Sequence, residues 1–311
     1  MSTPARKAKP VTADGKVIAL PRTAATAHIK PIDIPRVKWE EFTRRFHWKP
    51  GEHVIEIGPT GRGKSTLAGL ILERRKFAIA LDLKGNDQTL MNWPGNWLVS
   101  EVWPIEHEEE YLKGRVVERP DGTKVRVVPP LKIRLAPPVT TDDDIQAAAE
   151  IFDACLQDVF HNGRWAVYVD ELLIANDKDL YDLGQRIHRL MVFSRTRLAS
   201  VVNATQAPRW IPKAVYQQST HQFHWPIRDE QEFIRQAEIT GLGRANLREV
   251  FRGMKRHEFL YCKGQDTYYI SQAPKPTTTK TPTRPGQAQI PATMDRPPKR
   301  ASRGRRLAWG R

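Results

Sequence analysis

Short apolar runs alternate along the central part of the chain with longer stretches whose apolar residues recur at helical spacing. The strand-like runs lie at residues 52–57, 77–83, 131–135, 165–169 and 200–205, and the helical stretches at 66–73, 141–160 and 180–193. Strand candidates at 220–227, 258–262 and 267–270 and helix candidates at 229–239 and 244–253 extend the same region. Buried parallel strands read as continuous apolar runs. The pattern therefore predicts an α/β domain, with a mostly parallel sheet and helices on both faces.

One segment departs from this alternation. Residues 115–128 place the turn Pro120-Asp121-Gly122 between two arms of alternating β-branched residues. This pattern predicts a β-hairpin inserted at the margin of the sheet. Its basic residues are Arg115, Arg119, Lys124 and Arg126. They suit a loop that grips nucleic-acid phosphates and equally a solvated surface ribbon, and the sequence leaves both interpretations open.

Charge divides the chain into three parts. The 311 residues carry a net charge of +15, but residues 1–45 hold 10 Lys/Arg against 4 Asp/Glu and residues 274–311 hold 10 against 1. We predict a basic, largely disordered N-terminal arm over 1–45, in which Val37 to Phe46 is a candidate helix. A folded domain over 46–273 and a disordered Pro-rich polybasic tail over 274–311 follow.

Such a polycationic tail attracts nucleic acid through counterion release without reading base sequence. A solubilising role, or binding to an acidic protein, is the alternative interpretation of the same charge.

No window approaches the roughly 18 consecutive apolar residues of a membrane span, and the N-terminus does not lead into the apolar segment of a secretory signal. We therefore expect a cytoplasmic protein without an integral membrane segment. For a viral protein this means the host cytoplasm, and association with the virion is left open. Cys155 and Cys262 lie in apolar segments and are expected to be buried thiols without a disulfide or metal.

A complete phosphate-binding loop lies between the first strand and the first helix. The octapeptide Gly58-Pro59-Thr60-Gly61-Arg62-Gly63-Lys64-Ser65 has the Walker A pattern, and an apolar helix follows from Thr66. Backbone N–H groups of the turn and the positive end of the helix dipole cradle phosphate oxygens. Lys64 is expected to reach the β- and γ-phosphates of ATP, and Ser65 to ligate Mg²⁺.

Hydrolysis also needs a carboxylate for the metal shell and a group that activates water. Asp170 and Glu171 end the apolar strand Trp165–Val169, which is the Walker B pattern. We assign Asp170 to the Mg²⁺ shell and Glu171 to the attacking water. Gln206 follows the strand at 200–205, and its amide could donate to a γ-phosphate oxygen and accept from the water. A Gln that merely caps its strand is the alternative.

The order of these segments resembles the FtsK–HerA superfamily of ring-forming DNA-pumping ATPases. The resemblance rests on four segments: Gly58 to Ser65, Leu81-Asp82-Leu83-Lys84-Gly85, Asp170-Glu171 and Thr205-Gln206-Ala207-Pro208. Leu83 and Ala207 stand where the family often has Pro and Arg. The resemblance covers about residues 48–272 and includes His221 to Arg228, which is similar to a family strand that ends in Arg. It implies a RecA-like (ASCE) P-loop NTPase fold.

Among family members, the chain looks most like viral and phage genome-packaging ATPases. This resemblance implies a homo-oligomeric ring, hexameric or pentameric, that pumps double-stranded DNA, with a capsid or portal-vertex protein as a further partner. It also implies an arginine inserted into the neighbouring subunit's site. Arg195 and Arg197 are the first candidates for this arginine, and Arg228 is the next. The alternative interpretation is that Arg195 and Arg197 only complement the dipole of the helix that they follow.

Two other functions fit parts of the sequence. One is a Zot-like phage morphogenesis protein, a P-loop protein that acts through protein or membrane partners. The absence of an apolar span argues against it. The other is a small-molecule phosphotransferase, which needs neither the pair Asp170-Glu171 with Gln206 nor a polybasic tail. We therefore predict an ATP-hydrolysing DNA translocase for genome packaging.

Overall fold

A sheet of nine strands runs through the protein, whose computed structural model describes residues 33–105, 113–264 and 266–274. The strands, including a separate pair β4 and β5, are β1 (His53–Ile57), β2 (Phe77–Leu81), β3 (Leu98–Ser100), β4 (Arg115–Glu118), β5 (Lys124–Val127), β6 (Leu131–Leu135), β7 (Ala166–Val169), β8 (Ser200–Thr205), β9 (Ser219–His224), β10 (Glu258–Lys263) and β11 (Thr267–Gln272). The order in the large sheet is β11-β10-β9-β1-β8-β7-β2-β6-β3. Strands from β9 to β3 are parallel, and β10 and β11 are antiparallel. The predicted fold class is confirmed.

Helices cover both faces of this sheet. They are α1 (Trp39–Arg45), α2 (Lys64–Leu72), α3 (Gln88–Met91), α4 (Asp142–Asn162), α5 (Leu172–Asn176), α6 (Gly184–Phe193), α7 (Lys213–Gln218), α8 (Glu230–Thr240) and α9 (Arg244–Arg252), with 3-10 turns at Arg195–Arg197 and Pro208–Trp210. Side chains alternate along β1, so that Ile55 joins a core with α4 and α6 while Val54 joins a core with α1 and α2. The result is three layers, helix, sheet and helix.

Strand β8 lies between the strand that precedes the phosphate-binding loop and the strand that precedes Asp170. β1 pairs with β8 on one side and β7 pairs with β8 on the other, both in parallel. All three strands therefore end at the same edge of the sheet. This order brings Gly58, Asp170 and Gln206 to neighbouring positions, as expected for ligand sites at the carboxyl edge of an α/β sheet.

The N-terminal boundary predicted at residue 45 is wrong. Residues 33–45 belong to the domain. Phe42 of α1 is completely buried, and the backbone of Arg36 forms an isolated parallel β-bridge with Ile270. The Phe42 ring lies 5.2 Å, centroid to centroid, from the rings of both Phe259 and Tyr261. Aromatic packing on one face of a short helix thus anchors the segment despite its basic composition. The predicted disorder of 1–32 and of 275–311 lies outside the described residues.

The helix predicted over 180–193 begins later, at Gly184. Asp182 has a φ of 46°, and the Leu183 N–H donates to the Ala175 carbonyl, so a turn precedes the helix. The helices α3, α5 and α7 and the strand β3 were not predicted. Each is six residues or shorter, too short for a period of apolar residues to show.

The predicted hairpin is present, with Gly122 at a φ of 80° in its turn. It forms its own two-stranded sheet and follows the edge strand β3 in the chain. Val116 and Val127 are exposed on it. Cys155 and Cys262 are buried, as predicted. Over the described ranges, no helix has both the length and the apolarity to span a bilayer.

Candidate active site

The loop from Gly58 to Gly63 connects β1 to α2 and has the backbone that the Walker A pattern requires. Gly61 and Gly63 have φ values of 72° and 102°, a region that side chains with a Cβ rarely adopt. Gly58 is needed for a different reason, since a Cβ there would lie 2.7 Å from the Cβ of Trp225. The chain therefore has the P-loop fold, with α2 starting at Lys64 and its N-terminus facing the loop.

The side chain of Lys64 folds back toward the start of this loop. Its Nζ donates to the carbonyl oxygens of Gly58 at 2.8 Å and Pro59 at 3.3 Å. Burial lowers the pKa of the Lys64 ammonium, and the carboxylates of Glu171, Glu56 and Asp170 oppose this effect. The buried cation thus lies near the carboxylates of Asp170 and Glu171, at the point where phosphates would arrive.

Asp170 is bonded to the first turn of α2. Its Oδ1 accepts from the Ser65 hydroxyl at 2.8 Å and from the Tyr168 hydroxyl at 2.6 Å. Burial alone would raise the pKa of Asp170, but hydrogen bonds, led by that from Lys84, hold it below its usual value. The carboxylate is therefore ionised and fixed next to Ser65, as the predicted pairing of the two motifs requires.

Glu171 and Gln206 are also in contact. The Gln206 amide donates from Nε2 to the Glu171 Oε2 at 2.9 Å, and the Thr60 hydroxyl donates to the Gln206 Oε1 at 2.6 Å. Glu171 is buried, and its second oxygen, Oε1, has no hydrogen-bond partner among the described residues. The loop, the second acid of the pair and the proposed sensor are thus connected through side chains.

Lys84 is a further residue of the site, and its role was not predicted from sequence. Its Nζ donates to the Asp170 Oδ2 at 2.7 Å and to the Asp87 Oδ2 at 3.3 Å. The Lys84 side chain is 50% exposed, whereas that of Asp170 is only 9% exposed. Its place in the segment Asp82-Leu83-Lys84 after β2 was the available signal, since β2 is adjacent to β7.

A second unassigned carboxyl group lies beneath the loop. Glu56 of β1 is completely buried, and neither carboxyl oxygen has a hydrogen-bond partner among the described residues. Burial raises the pKa of Glu56 well above its usual value, although the charge of Lys64 opposes this. A protonated, neutral Glu56 is the form that this environment favours.

The remaining loop residues are arranged around this cluster. The Arg62 carbonyl lies 3.4 Å from His257 Nδ1, and Thr66 occupies the first turn of α2. The Ser65 carbonyl accepts from the indole N–H of Trp93 at 2.7 Å. Gly69 packs against the same Trp93 ring, so Trp93 contacts the first two turns of α2.

The structure does not bring Arg195 and Arg197 to the loop of their own chain. They precede β8, whereas Gln206 follows it, and six strand residues separate the two edges by roughly 20 Å. Arg197 donates to the His161 carbonyl at 2.9 Å, and its guanidinium lies 4.8 Å from the centre of the Phe160 ring. Arg228 follows β9 and is exposed at the edge where the loop lies.

The donor set near α2 fits Mg²⁺ that arrives with a nucleotide. In residues 33–105, 113–264 and 266–274, no group of three or more His, Cys, Asp or Glu side chains could hold a metal ion. Mg²⁺ commonly takes one or two protein carboxylates and completes its shell with phosphates and water. The Ser65 hydroxyl and the ionised Asp170 carboxylate match such a shell.

Comparisons with known proteins found similar solved structures. The genome packaging NTPase B204 from Sulfolobus turreted icosahedral virus 2 is 15% identical, with 74% of this chain and 100% of that chain covered and a TM-score of 0.47. VirB4 of Thermoanaerobacter pseudethanolicus is 11% identical, with 72% and 90% covered and a TM-score of 0.49. The pCW3 conjugation coupling protein TcpA is 15% identical, with 72% and 60% covered and a TM-score of 0.39.

No family model and no curated protein matches the chain. The similarity to these solved structures is one of fold.

Proposed function

We propose that the protein hydrolyses ATP with Mg²⁺. The observation that carries the proposal is the convergence of Lys64, Ser65, Asp170, Glu171 and Gln206 at the end of three adjacent parallel strands. A loop that only binds nucleotide needs no buried Glu next to it. Here Glu171 is buried, held by Gln206 and left with a free acceptor oxygen, which suits the removal of a proton from water.

In this mechanism, the loop N–H groups and Lys64 bind and orient the phosphates. Ser65 and Asp170 would hold Mg²⁺, which would neutralise part of the phosphate charge. Glu171 accepts a proton from a water molecule as the water oxygen attacks the γ-phosphorus. The bond from the γ-phosphorus to the bridging oxygen breaks, and that oxygen leaves with ADP. The proton then passes from Glu171 to the product phosphate.

We further propose that this hydrolysis drives the movement of double-stranded DNA in packaging of a viral or phage genome. The support is the resemblance to FtsK–HerA ATPases, the polybasic ends and the exposed hairpin β4–β5, which carries Arg115, Lys124 and Arg126. A ring of subunits would let one chain supply an arginine to the site of the next. Arg195, Arg197 and Arg228 are exposed and remain the candidates.

The first test is ATP turnover with and without double-stranded DNA, at several salt concentrations. We expect turnover to rise with DNA and to saturate, and the effect to weaken as salt increases, because phosphate contacts release counterions. Sizing in the presence of a non-hydrolysable ATP analogue should show an oligomer. If ATP turnover did not rise with DNA even at low salt, the proposed coupling of hydrolysis to DNA movement would be contradicted. Binding to a coat or membrane partner without DNA stimulation would favour the Zot-like alternative.

Removal of residues 274–311 should weaken DNA binding by about ten-fold or more near physiological salt and flatten its salt dependence. Basal ATP turnover should stay at the parental rate, because Lys64, Ser65, Asp170, Glu171 and Gln206 are all retained. A tail of the same composition in scrambled order should restore binding, whereas a tail with Gln in place of each Lys and Arg should not. An unchanged salt dependence after truncation would assign the tail to a protein partner.

A further inference from the structure

Three side chains form a continuous hydrogen-bonded series across the site. Thr60 lies in the phosphate-binding loop, Gln206 follows β8 and Glu171 follows β7. The two distances, 2.6 Å from Thr60 Oγ1 to Gln206 Oε1 and 2.9 Å from Gln206 Nε2 to Glu171 Oε2, are both those of good hydrogen bonds. The loop is therefore connected to the Glu171 carboxylate through one amide side chain.

The chemistry of these groups fixes the direction of every hydrogen bond in the series. The Glu171 Oε2 accepts from the Gln206 Nε2, so the N–H side of the amide faces Glu171. The amide oxygen then faces Thr60, and a carbonyl oxygen only accepts. The Thr60 hydroxyl must therefore donate. With its hydrogen bonded in this way, the hydroxyl stabilises the orientation of Gln206 that presents a donor to Glu171.

This orientation decides which carboxylate oxygen remains available. Gln206 occupies Oε2 of Glu171, and Oε1 has no partner among the described residues although it is buried. Glu171 as a whole is only 6% exposed, so it cannot turn freely into solvent. A buried acceptor without a partner is costly unless a ligand or substrate group uses it.

We propose that Thr60 is a positioning residue for hydrolysis: through Gln206 it holds Glu171 so that the free Oε1 faces the attacking water. This inference rests on the proposed ATPase activity and adds to it a residue and a role. The third position of the loop thus contributes to turnover through its side chain, in addition to the backbone that cradles phosphate. Nucleotide binding needs only that backbone, Lys64 and Ser65.

The test compares Thr60→Val, which keeps the shape and loses the hydroxyl, with Thr60→Ser, which keeps the hydroxyl. We expect Thr60→Val to lower kcat by about five-fold, the effect of one neutral hydrogen bond. Thr60→Ser should retain turnover near the parental rate. Affinity for a fluorescent ATP analogue should be the same in all three proteins, which also shows that the variants fold. Equal losses in both variants, or a change in affinity alone, would overturn the proposal.

A double-mutant cycle isolates the path through Gln206. Gln206→Ala should lower kcat by about thirty-fold, because it removes a hydrogen bond to a charged group. In that background Thr60→Val should cause no further loss, and an undiminished five-fold loss would overturn the role of Gln206 as the connection. A parental protein that binds ATP without turning it over would instead contradict the proposed function itself.

Discussion

Glu171→Gln is expected to bind ATP with parental affinity and to lower turnover by at least about a hundred-fold, the usual contribution of a general base. The substitution keeps the size of the side chain and an oxygen that can accept from Gln206, but it removes the basic carboxylate. Lys64, Ser65 and Asp170 are untouched. The effect should therefore fall on kcat, and the affinity for nucleotide should not change.

The measurement is steady-state ATP turnover together with equilibrium binding of a fluorescent ATP analogue. Glu249→Gln is a matched control, since Glu249 is an exposed residue of α9 whose carboxylate pairs with Arg252. It should behave as the parent in both assays. If Glu171→Gln hydrolysed ATP at the parental rate, another group would have to activate the water, and the role of Glu171 would have to be abandoned.

The positions of the site residues could be predicted from sequence because parallel strands share a carboxyl edge. Asp170 and Gln206 each follow an apolar run, and the runs are adjacent strands in the structure. Because the two strands lie next to β1 or one strand away from it, the residues that follow them lie near the phosphate-binding loop. The same reasoning explains the placement of Arg195 and Arg197, which precede a strand and therefore lie at the other edge.

Contacts that depend on side-chain direction could not be predicted in this way. The hydroxyl of Tyr168 in β7 reaches Asp170 just beyond that strand, and Lys84 reaches it from the segment after β2. No periodicity in the sequence indicates either contact. Glu56 looks like an ordinary polar position in an alternating strand, yet both faces of β1 are covered and its carboxyl group is buried.

Long-range packing also decided where the domain begins. Phe42 lies in a basic segment, and its aromatic neighbours Phe223, Phe259 and Tyr261 are far away in the sequence. Composition measured over a local window therefore assigned the segment to an arm. The same four rings, together with Phe46, form a cluster on the α1 side of β9 and β10. Burial of such rings stabilises a short helix that would not form alone.

Lys64→Ala should lower ATP affinity by about a hundred-fold or more, because it removes charge-assisted hydrogen bonds to the phosphates. The structure adds a second reason. Lys64 is the buried cation next to Asp170 and Glu171, so its loss leaves these two carboxylates facing an incoming anion. Both effects act on binding, in contrast to those of Glu171→Gln.

Thermal unfolding with increasing ATP measures this effect, because a ligand raises the Tm only if it binds the folded state. The parent should show a Tm that increases with ATP, and Lys64→Ala should show almost none of this increase at the same concentrations. Lys178→Ala, in an exposed loop, is the control and should retain the full increase. If the Tm of Lys64→Ala rose with ATP as much as that of the parent, the phosphates of ATP would have to bind at a different place in the protein. The two variants together therefore separate binding from hydrolysis: Glu171→Gln should keep the ATP-dependent rise in Tm that Lys64→Ala loses.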